Sequence, residues 1–146
     1  MRILVQRSLK SNVSVDGKVV GSIDKGLVLF VGFTHTDTSE DIDYLVKKVL
    51  NLRIFDDENG IMNKSILDVG GSILSISQFT LYADTKKGNR PSYINAMGGE
   101  NAIKLYDEFN TKLSGFVKVE KGIFGAEMKV NINNDGPITI MLESRG

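Results

Sequence analysis

The feature that most constrains the fold of this chain is a continuous apolar segment, residues 26–33, which reads GLVLFVGF. It is too short to cross a membrane as a helix, and it lacks the polar alternation of a strand with one face in water. The segment therefore predicts a β-strand that is buried on both faces. Such a strand requires other parts of the chain to cover each side of it.

Sequence periodicity predicts the elements around this strand. Asp16-Gly17 lies between valine-rich segments and predicts a hairpin. An apolar face at helical spacing predicts a helix that begins at a cap on Thr38 or Ser39, and a second amphipathic helix is expected from about residue 99 to residue 113. Further strands are expected at residues 73–76, 126–132 and 138–142, with a turn at 133–136. The order predicts a single α+β domain over residues 1–146, with a barrel-like mixed β-sheet and two amphipathic helices.

Composition excludes several kinds of chemistry. The chain has no Cys and one His, and 18 Lys+Arg balance 18 Asp+Glu for a formal net charge of zero. The lack of Cys excludes a disulfide scaffold, a thiolate zinc site and a thiol nucleophile. The sequence shows neither a signal peptide nor a membrane helix, so we expect a cytoplasmic protein with no membrane partner. Any bound RNA must meet a local patch of cations, because the overall charge offers no attraction.

The usual catalytic groups are poorly placed in this sequence. His35 lies between the buried strand and a helix start, and it is interpreted as a surface loop histidine. The carboxylate pairs Asp56-Asp57 and Glu40-Asp41 lie in a turn and in the first turn of a helix, and they are interpreted as solvated faces or caps. The hydroxyls of Ser77, Thr80 and Ser92 could attack a substrate, but no base lies beside them at motif spacing.

Two segments are unusual for a purely structural chain. Residues 77–84, SQFTLYAD, place an amide and two hydroxyls at the end of a very apolar strand. In Asn134-Asp135-Gly136-Pro137, proline permits a cis peptide bond and glycine permits close approach of the backbone to a ligand. The residues alone leave alternatives open: a strand edge that satisfies its own backbone in the first case, and a plain hairpin turn in the second.

The two unusual segments together resemble the D-aminoacyl-tRNA deacylase family. SQFTL at residues 77–81 and NDGPIT at residues 134–139 are specific as a pair, whereas either alone is a weak signal. The resemblance extends over residues 1–143. Its departures are Ser8, Tyr82, Tyr93 and Ile138, of which Tyr82 replaces a smaller residue. Supporting matches occur as QR at residues 6–7, VSVDG at 13–17, RIF at 53–55, GNRPS at 88–92 and GIFGAEM at 122–128.

The resemblance implies an editing esterase that hydrolyses the ester between a D-amino acid and the terminal adenosine of tRNA. It implies a homodimer with active sites at the subunit interface, and neither a metal nor a cofactor. A cis bond between Gly136 and Pro137 would reach into the partner's site and exclude an L side chain. Glycine has no side chain to exclude, so glycyl-tRNA, including glycine mischarged on alanine tRNA, is a second expected substrate.

The resemblance also assigns roles to individual residues. The catalytic segment comprises Ser77, Gln78, Phe79 and Thr80, and the apolar walls of the substrate pocket comprise Ala102, Phe124 and Met128. Phe124 and Met128 would fit a role in core packing equally well.

Contact with the tRNA backbone requires exposed cations, which phosphate groups attract. Each candidate could equally be a solvated surface residue. The candidates are Arg7, Lys10, Lys86, Lys87 and Arg90.

The chemistry of the substrate fits a chain with few catalytic groups. An aminoacyl ester is already activated, and the ribose supplies a vicinal hydroxyl. The enzyme then has only to orient the ester, position a water and stabilise the oxyanion with backbone N–H groups. Three alternatives stay open: Thr80 as a covalent nucleophile, a generic Ser/Thr esterase for small esters, and a non-catalytic RNA-binding dimer that keeps the family fold.

Overall fold

A five-stranded mixed sheet lies between a three-stranded antiparallel sheet and two long helices in the computed structural model, which describes residues 1–145. The strands are β1 (Arg2–Ser8), β2 (Ser11–Val15), β3 (Lys18–Ile23), β4 (Gly26–Gly32), β5 (Phe55–Asp56), β6 (Met62–Lys64), β7 (Ser72–Ser77), β8 (Val119–Lys121), β9 (Lys129–Asn131) and β10 (Asn134–Glu143). The helices are α1 (Ser39–Asn51), α2 (Ile66–Val69) and α3 (Gly99–Ser114), with a 3-10 turn at Phe79–Tyr82.

The large sheet combines both strand directions. Its order is β10-β1-β4-β7-β8; β1 runs antiparallel to β10 and β4, whereas β7 runs parallel to β4 and β8. The small sheet has the order β3-β2-β9 and is antiparallel throughout. The predicted α+β class with a mixed sheet is confirmed. Within residues 1–145 the large sheet is open, with β10 and β8 at its edges.

Strand β4 is buried on both faces, as its apolar sequence predicts. Leu27 and Leu29 pack in a hydrophobic cluster with α1 and α3, and Val28 packs on the opposite face in a cluster with β2 and β3. Gly26 begins the strand with a φ of +152°, and a Cβ there would lie 1.8 Å from the carbonyl oxygen of Ser72 on β7. Only glycine fits this close pairing of parallel strands.

The two long helices match their predicted positions. Thr38 caps α1 in a capping box, in which its backbone N–H donates to the Asp41 carboxylate at 2.8 Å. Helix α2 was not predicted, because four residues are too few to show a helical period; Ser65 caps it and Gly70 ends it at a φ of +66°. Among the described residues, no helix combines the length and apolar character needed to cross a membrane.

Residues 134–136 of the predicted turn 133–136 are instead the start of β10. Asn134 pairs with Ser8 across an irregularity in the register with β1. The Asn134 side-chain amide donates to the carbonyl oxygens of Arg7 and Ile138, both at 3.0 Å. A polar side chain therefore joins the two strands where a turn was expected. The expected strand at residues 126–132 is also shorter, because only Lys129–Asn131 pairs with β2.

Candidate active site

A cavity of about 570 Å³ opens beside the carboxyl ends of the parallel strands β4 and β7. Its lining continues through the 3-10 turn, residues 93–97, the first turn of α3 and residues 124–130. Crevices at the carboxyl ends of parallel strands commonly bind ligands, and this volume is typical of small-molecule sites. The cavity is therefore the candidate active site.

Three of the residues in the SQFTL segment line this cavity: Ser77, Gln78 and Phe79. The Gln78 backbone N–H donates to the carbonyl oxygen of Val31 at 2.8 Å, which joins the end of β7 to the end of β4. Gly32 permits this approach, because a Cβ there would lie 2.8 Å from the Gln78 carbonyl oxygen. The turn that carries the motif is thus held against the neighbouring strand by backbone contacts.

The apolar walls come from Ala102, Phe124 and Met128, all of which line the cavity. Ala102 and Phe124 belong to the hydrophobic cluster on the helix side of the large sheet, and Met128 packs against the cluster on the small-sheet side. The core-packing role and the wall role are therefore compatible. The cavity lies where the two hydrophobic clusters meet.

Tyr106 supports the cavity from behind, although the sequence reading counted it only as part of the apolar face of α3. Its hydroxyl donates to the carbonyl oxygen of Ser75 at 2.8 Å, and burial raises the pKa of this hydroxyl. Its ring lies 5.8 Å from the ring of Phe124, centre to centre. Because Ser75 lies two residues before Ser77, Tyr106 connects one wall of the cavity to the strand that carries the motif.

The chemistry available in the cavity is limited. Among the described residues, those that line it include no carboxylate, imidazole, amine, guanidinium or thiol. Thr80 is exposed on the 3-10 turn and is not part of the lining. His35 is also outside it, with Nε2 2.7 Å from the carbonyl oxygen of Ile94. Residues 1–145 bring together no group of three or more His, Cys, Asp or Glu that could hold a metal ion.

Gly136 and Pro137 lie apart from the cavity of their own chain. Both residues are exposed, and the peptide bond between them is cis. Gly136 has a φ of +115°, and a Cβ there would lie 2.7 Å from the Ile138 side chain, so the position requires glycine.

The structure corrects the expectation that Arg7 is a surface cation. Arg7 is only 8% exposed. Its Nη1 donates to the carbonyl oxygen of Ile54 at 2.8 Å and lies 3.4 Å from the Asp56 carboxylate, and its Nε lies 3.2 Å from the Asp135 carboxylate. A guanidinium with these partners is not available to RNA phosphates. Arg7 instead supports the residue that precedes Gly136.

Of the other predicted tRNA contacts, Lys10 is exposed between β1 and β2, and the remaining three lie together on one exposed loop. Lys86, Lys87 and Arg90 are all exposed, and none of the ion pairs found within residues 1–145 includes them. The loop is closed at its base by Asp84 and Ser92, whose backbones exchange hydrogen bonds of 2.8 and 2.9 Å. These three cations form the basic loop.

Tyr82, the departure from the family pattern that adds a larger side chain, lies outside the cavity lining. The guanidinium of Arg2 lies over its ring, 4.5 Å from the ring centre. Burial, and then the negative charge of Asp37, raise the pKa of the Tyr82 hydroxyl. Its larger side chain, at the end of the 3-10 turn, therefore packs against Arg2 and is not part of the cavity lining.

Comparisons with known proteins identify a matching family and similar solved structures. The sequence profile of a family described as D-Tyr-tRNA(Tyr) deacylase matches residues 4–143. A solved structure described as "c-Myc DNA Unwinding Element Binding Protein" is 39% identical, with 100% of both chains covered and a TM-score of 0.95. A second, described as "Structural Analysis of a probable eukaryotic D-amino acid tRNA deacylase", is 19% identical over 97% of this chain and 98% of the other, with a TM-score of 0.83. The second likeness shows a shared fold.

Proposed function

Because the chain belongs to the D-Tyr-tRNA(Tyr) deacylase family, whose members hydrolyse aminoacyl-tRNA esters, we propose that it removes D-amino acids from tRNA in the cavity beside β4 and β7. The chain is an ester hydrolase of this editing family. The proposal concerns how the ester is cleaved, which amino acids are accepted, and which residues act.

One observation carries the proposed mechanism: the described residues that line the cavity include no carboxylate, imidazole or amine to act as a general base. Attack by water then relies on the substrate, whose ribose 2′-hydroxyl lies beside the ester and can position the water and shuttle its proton. Orientation of an activated ester against a held water can supply much of the rate enhancement without a protein base. Water attack assisted by the tRNA is therefore favoured over a Thr80 nucleophile, since Thr80 is exposed and outside the lining.

The oxyanion of the tetrahedral intermediate needs donors that are fixed in advance. The 3-10 turn begins at Phe79, so the backbone N–H groups of Phe79 and Thr80 have no acceptor within the turn. Gln78 is held by its bond to Val31, which fixes the direction of the peptides that follow. We assign the oxyanion to the N–H group of Phe79, because Phe79 is the one of these two residues that lines the cavity.

Selection against L-amino acids is assigned to Gly136 and Pro137 of a second subunit. Two observations support this: both residues are exposed, and neither lines the cavity of its own chain. A homodimer would bring them to the partner's cavity, where main-chain carbonyl groups bind the substrate amino group and block the position of an L side chain. Glycyl-tRNA, which presents no side chain to block, is then also a substrate, including glycine mischarged on alanine tRNA.

The tRNA itself is held by the basic loop, with Lys86, Lys87 and Arg90 near the backbone phosphates. The exposure of these residues and their freedom from ion pairs within residues 1–145 support this role. We expect the protein to act in the cytoplasm, where aminoacyl-tRNA is made and used.

The decisive experiment compares D-tyrosyl-tRNA, L-tyrosyl-tRNA and D-tyrosyl-tRNA that ends in 2′-deoxyadenosine. The proposal expects rapid hydrolysis of the first, none above background for the second, and a loss of at least a hundredfold for the third. Rapid hydrolysis of the 2′-deoxy substrate would refute assistance by the tRNA. A trapped acyl adduct on Thr80, with loss of activity in Thr80→Ala, would favour the covalent mechanism, and inhibition by serine-directed acylating agents would favour a generic esterase.

A second candidate function is binding of nucleic acid without catalysis. It is suggested by the relative at 39% identity, whose description names a DNA-unwinding element. The same incubation separates the two functions, because a pure binder protects both the D and the L ester from spontaneous loss.

A further inference from the structure

Three large apolar side chains are exposed together at the mouth of the cavity. Phe79 is 54% exposed, Tyr93 43% and Ile94 74%. The rings of Phe79 and Tyr93 meet edge to face, with their centres 5.0 Å apart. Phe79 and Tyr93 also line the cavity, so the exposed surface is continuous with the candidate active site. We call these three residues the mouth platform.

The backbone that carries the platform is held in place before any ligand binds. Residues 93–97 are tied to the segment after β4 by several bonds. His35 Nε2 lies 2.7 Å from the Ile94 carbonyl oxygen, the Thr34 hydroxyl donates to the Asn95 carbonyl oxygen at 2.5 Å, and the Met97 backbone N–H donates to the Phe33 carbonyl oxygen at 3.0 Å. An exposed aromatic group on a fixed backbone loses little freedom on binding, which favours affinity.

Charge identifies the kind of partner that fits this surface. The basic loop begins seven residues before Tyr93 and ends three residues before it, so cations and exposed rings lie on one continuous segment. Exposed rings for stacking, flanked by cations for the phosphates, are the combination with which proteins bind single-stranded nucleic acid. A protein partner would account for the apolar side chains but not for three adjacent cations.

We propose that the mouth platform binds the nucleobase that immediately precedes the terminal adenosine of tRNA, which stacks on Tyr93. This inference rests on the proposed function, which places the terminal adenosine in the cavity. The next nucleotide of an unpaired 3′ strand then leaves the cavity through its mouth, where Tyr93 and Ile94 are exposed. Its phosphate lies toward the basic loop. The platform thus makes the enzyme prefer a complete tRNA end to an isolated aminoacyl-adenosine.

The test compares two substrates, D-tyrosyl-tRNA and D-tyrosyl-adenosine, which lacks the preceding base. Loss of one stacking contact lowers binding on the order of tenfold. We expect Tyr93→Ala to lower kcat/KM for the tRNA about tenfold more than for D-tyrosyl-adenosine, mainly through KM. Tyr93→Phe keeps the ring and is expected to restore the preference for tRNA. Tyr44→Ala, which removes a tyrosine of similar exposure from α1, serves as the control and is expected to behave as wild type.

A tRNA with an abasic penultimate nucleotide completes the test, because on this substrate Tyr93→Ala is expected to cause no further loss. Equal losses on both esters would overturn the proposal and would make Tyr93 part of the adenosine pocket. A change in molar mass by light scattering would identify the platform as a subunit contact instead. If wild type hydrolyses neither ester, the proposed function fails. A binding measurement with uncharged tRNA, with and without the penultimate base, then still decides whether the mouth platform binds that base.

Discussion

The guanidinium of Arg7 lies 3.2 Å from the carboxylate of Asp135, and this ion pair joins the middle of the sheet to the residue before Gly136. Arg7 is buried, and its Nη1 also donates to the Ile54 carbonyl oxygen at 2.8 Å. Gly136 and Pro137 are exposed and are proposed to act in the cavity of a neighbouring subunit. Because the cavity of their own chain does not hold them, their position depends on contacts such as this ion pair.

The first prediction concerns this support. Arg7→Met keeps much of the side-chain volume but removes the ion pair and the bond to Ile54, so we expect the free energy of unfolding to fall by about 1–3 kcal/mol. The preference for D- over L-tyrosyl-tRNA should also fall, because residues 135–137 lose their anchor. Urea denaturation and parallel D and L assays measure the two effects. An unchanged preference in a folded variant would show that Arg7 contributes to stability alone.

The second prediction uses Gly99, which lines the cavity at the start of α3. A Cβ there would meet only Phe124, at 3.9 Å, so Gly99→Leu can enter the cavity without backbone strain. We expect hydrolysis of D-tyrosyl-tRNA to fall by at least about a hundredfold with no loss of stability. Gly98→Leu is the matched control, because Gly98 is not a lining residue and nothing lies within 4 Å of its Cβ position. Full activity in Gly99→Leu would locate the reaction elsewhere.

The third prediction isolates the hydroxyl of Tyr106. Tyr106→Phe keeps the ring beside Phe124 and removes the bond to the Ser75 carbonyl oxygen, which still accepts from the Gly122 backbone N–H. We expect the free energy of unfolding to fall by about 1 kcal/mol. Hydrolysis should slow several-fold through kcat, because β7 carries the motif. Tyr44→Phe is the control on an exposed site. A stability loss with normal kcat would restrict Tyr106 to a structural role.

The fourth prediction concerns the salt dependence of tRNA binding. Replacement of Lys86, Lys87 and Arg90 by Ala removes up to three phosphate contacts, so the slope of log affinity against log salt should become shallower by about 2. Binding should also weaken at low salt. The control replaces three other exposed lysines: Lys18, Lys25 and Lys47. An unchanged slope would exclude the basic loop from phosphate contact.

The fifth prediction is a pH effect on stability that arises at Asp41. Burial raises the pKa of this carboxyl, but hydrogen bonds from Arg145, Ser144 and the Thr38 backbone outweigh burial and hold it well below its ordinary value of 3.8. The pKa of Asp41 is therefore lower in the folded protein than in the unfolded chain. The contribution of Asp41 to the free energy of unfolding is complete at pH values above its unfolded pKa, and it is lost as the pH falls toward its folded pKa.

Wild type should therefore lose about 1 kcal/mol from Asp41 between pH 7 and pH 3. Asp41→Asn should be less stable at pH 7 and should lack this part of the pH dependence. Urea denaturation of both proteins at the two pH values gives the comparison. Parallel pH profiles for the two proteins would contradict the assignment to Asp41.

Local patterns predict the elements of this fold because they depend on near neighbours in sequence. The apolar segment of β4 and the helical spacing of α1 and α3 are examples, and both are found close to where they are expected. Helix α2 was missed because it is shorter than the period that would reveal it. The role of Asn134 was missed because its partners on β1 are brought to it by the sheet and not by the sequence.

In the candidate active site, too, sequence predicts the local features but not the contacts between distant elements. The resemblance pointed to Ser77, Gln78, Phe79 and Thr80; the first three line one cavity, whereas Thr80 lies outside its lining. Sequence could not reveal that Tyr106 bonds to Ser75, 31 residues away, or that Arg7 points inward, because both depend on packing between distant elements. Arg7 and the cations of the basic loop are equivalent in a sequence, and only burial distinguishes an anchor from a surface charge.

The meeting of two hydrophobic clusters around an open cavity has a consequence for how this protein can evolve. A gap between packed layers lowers stability, and larger side chains that close it would make the chain more robust. The same substitutions would leave no room for the terminal adenosine that we propose the cavity binds. Selection for heat resistance alone would therefore tend to produce a more stable but inactive protein. The open cavity is in this sense a loss of stability that activity requires.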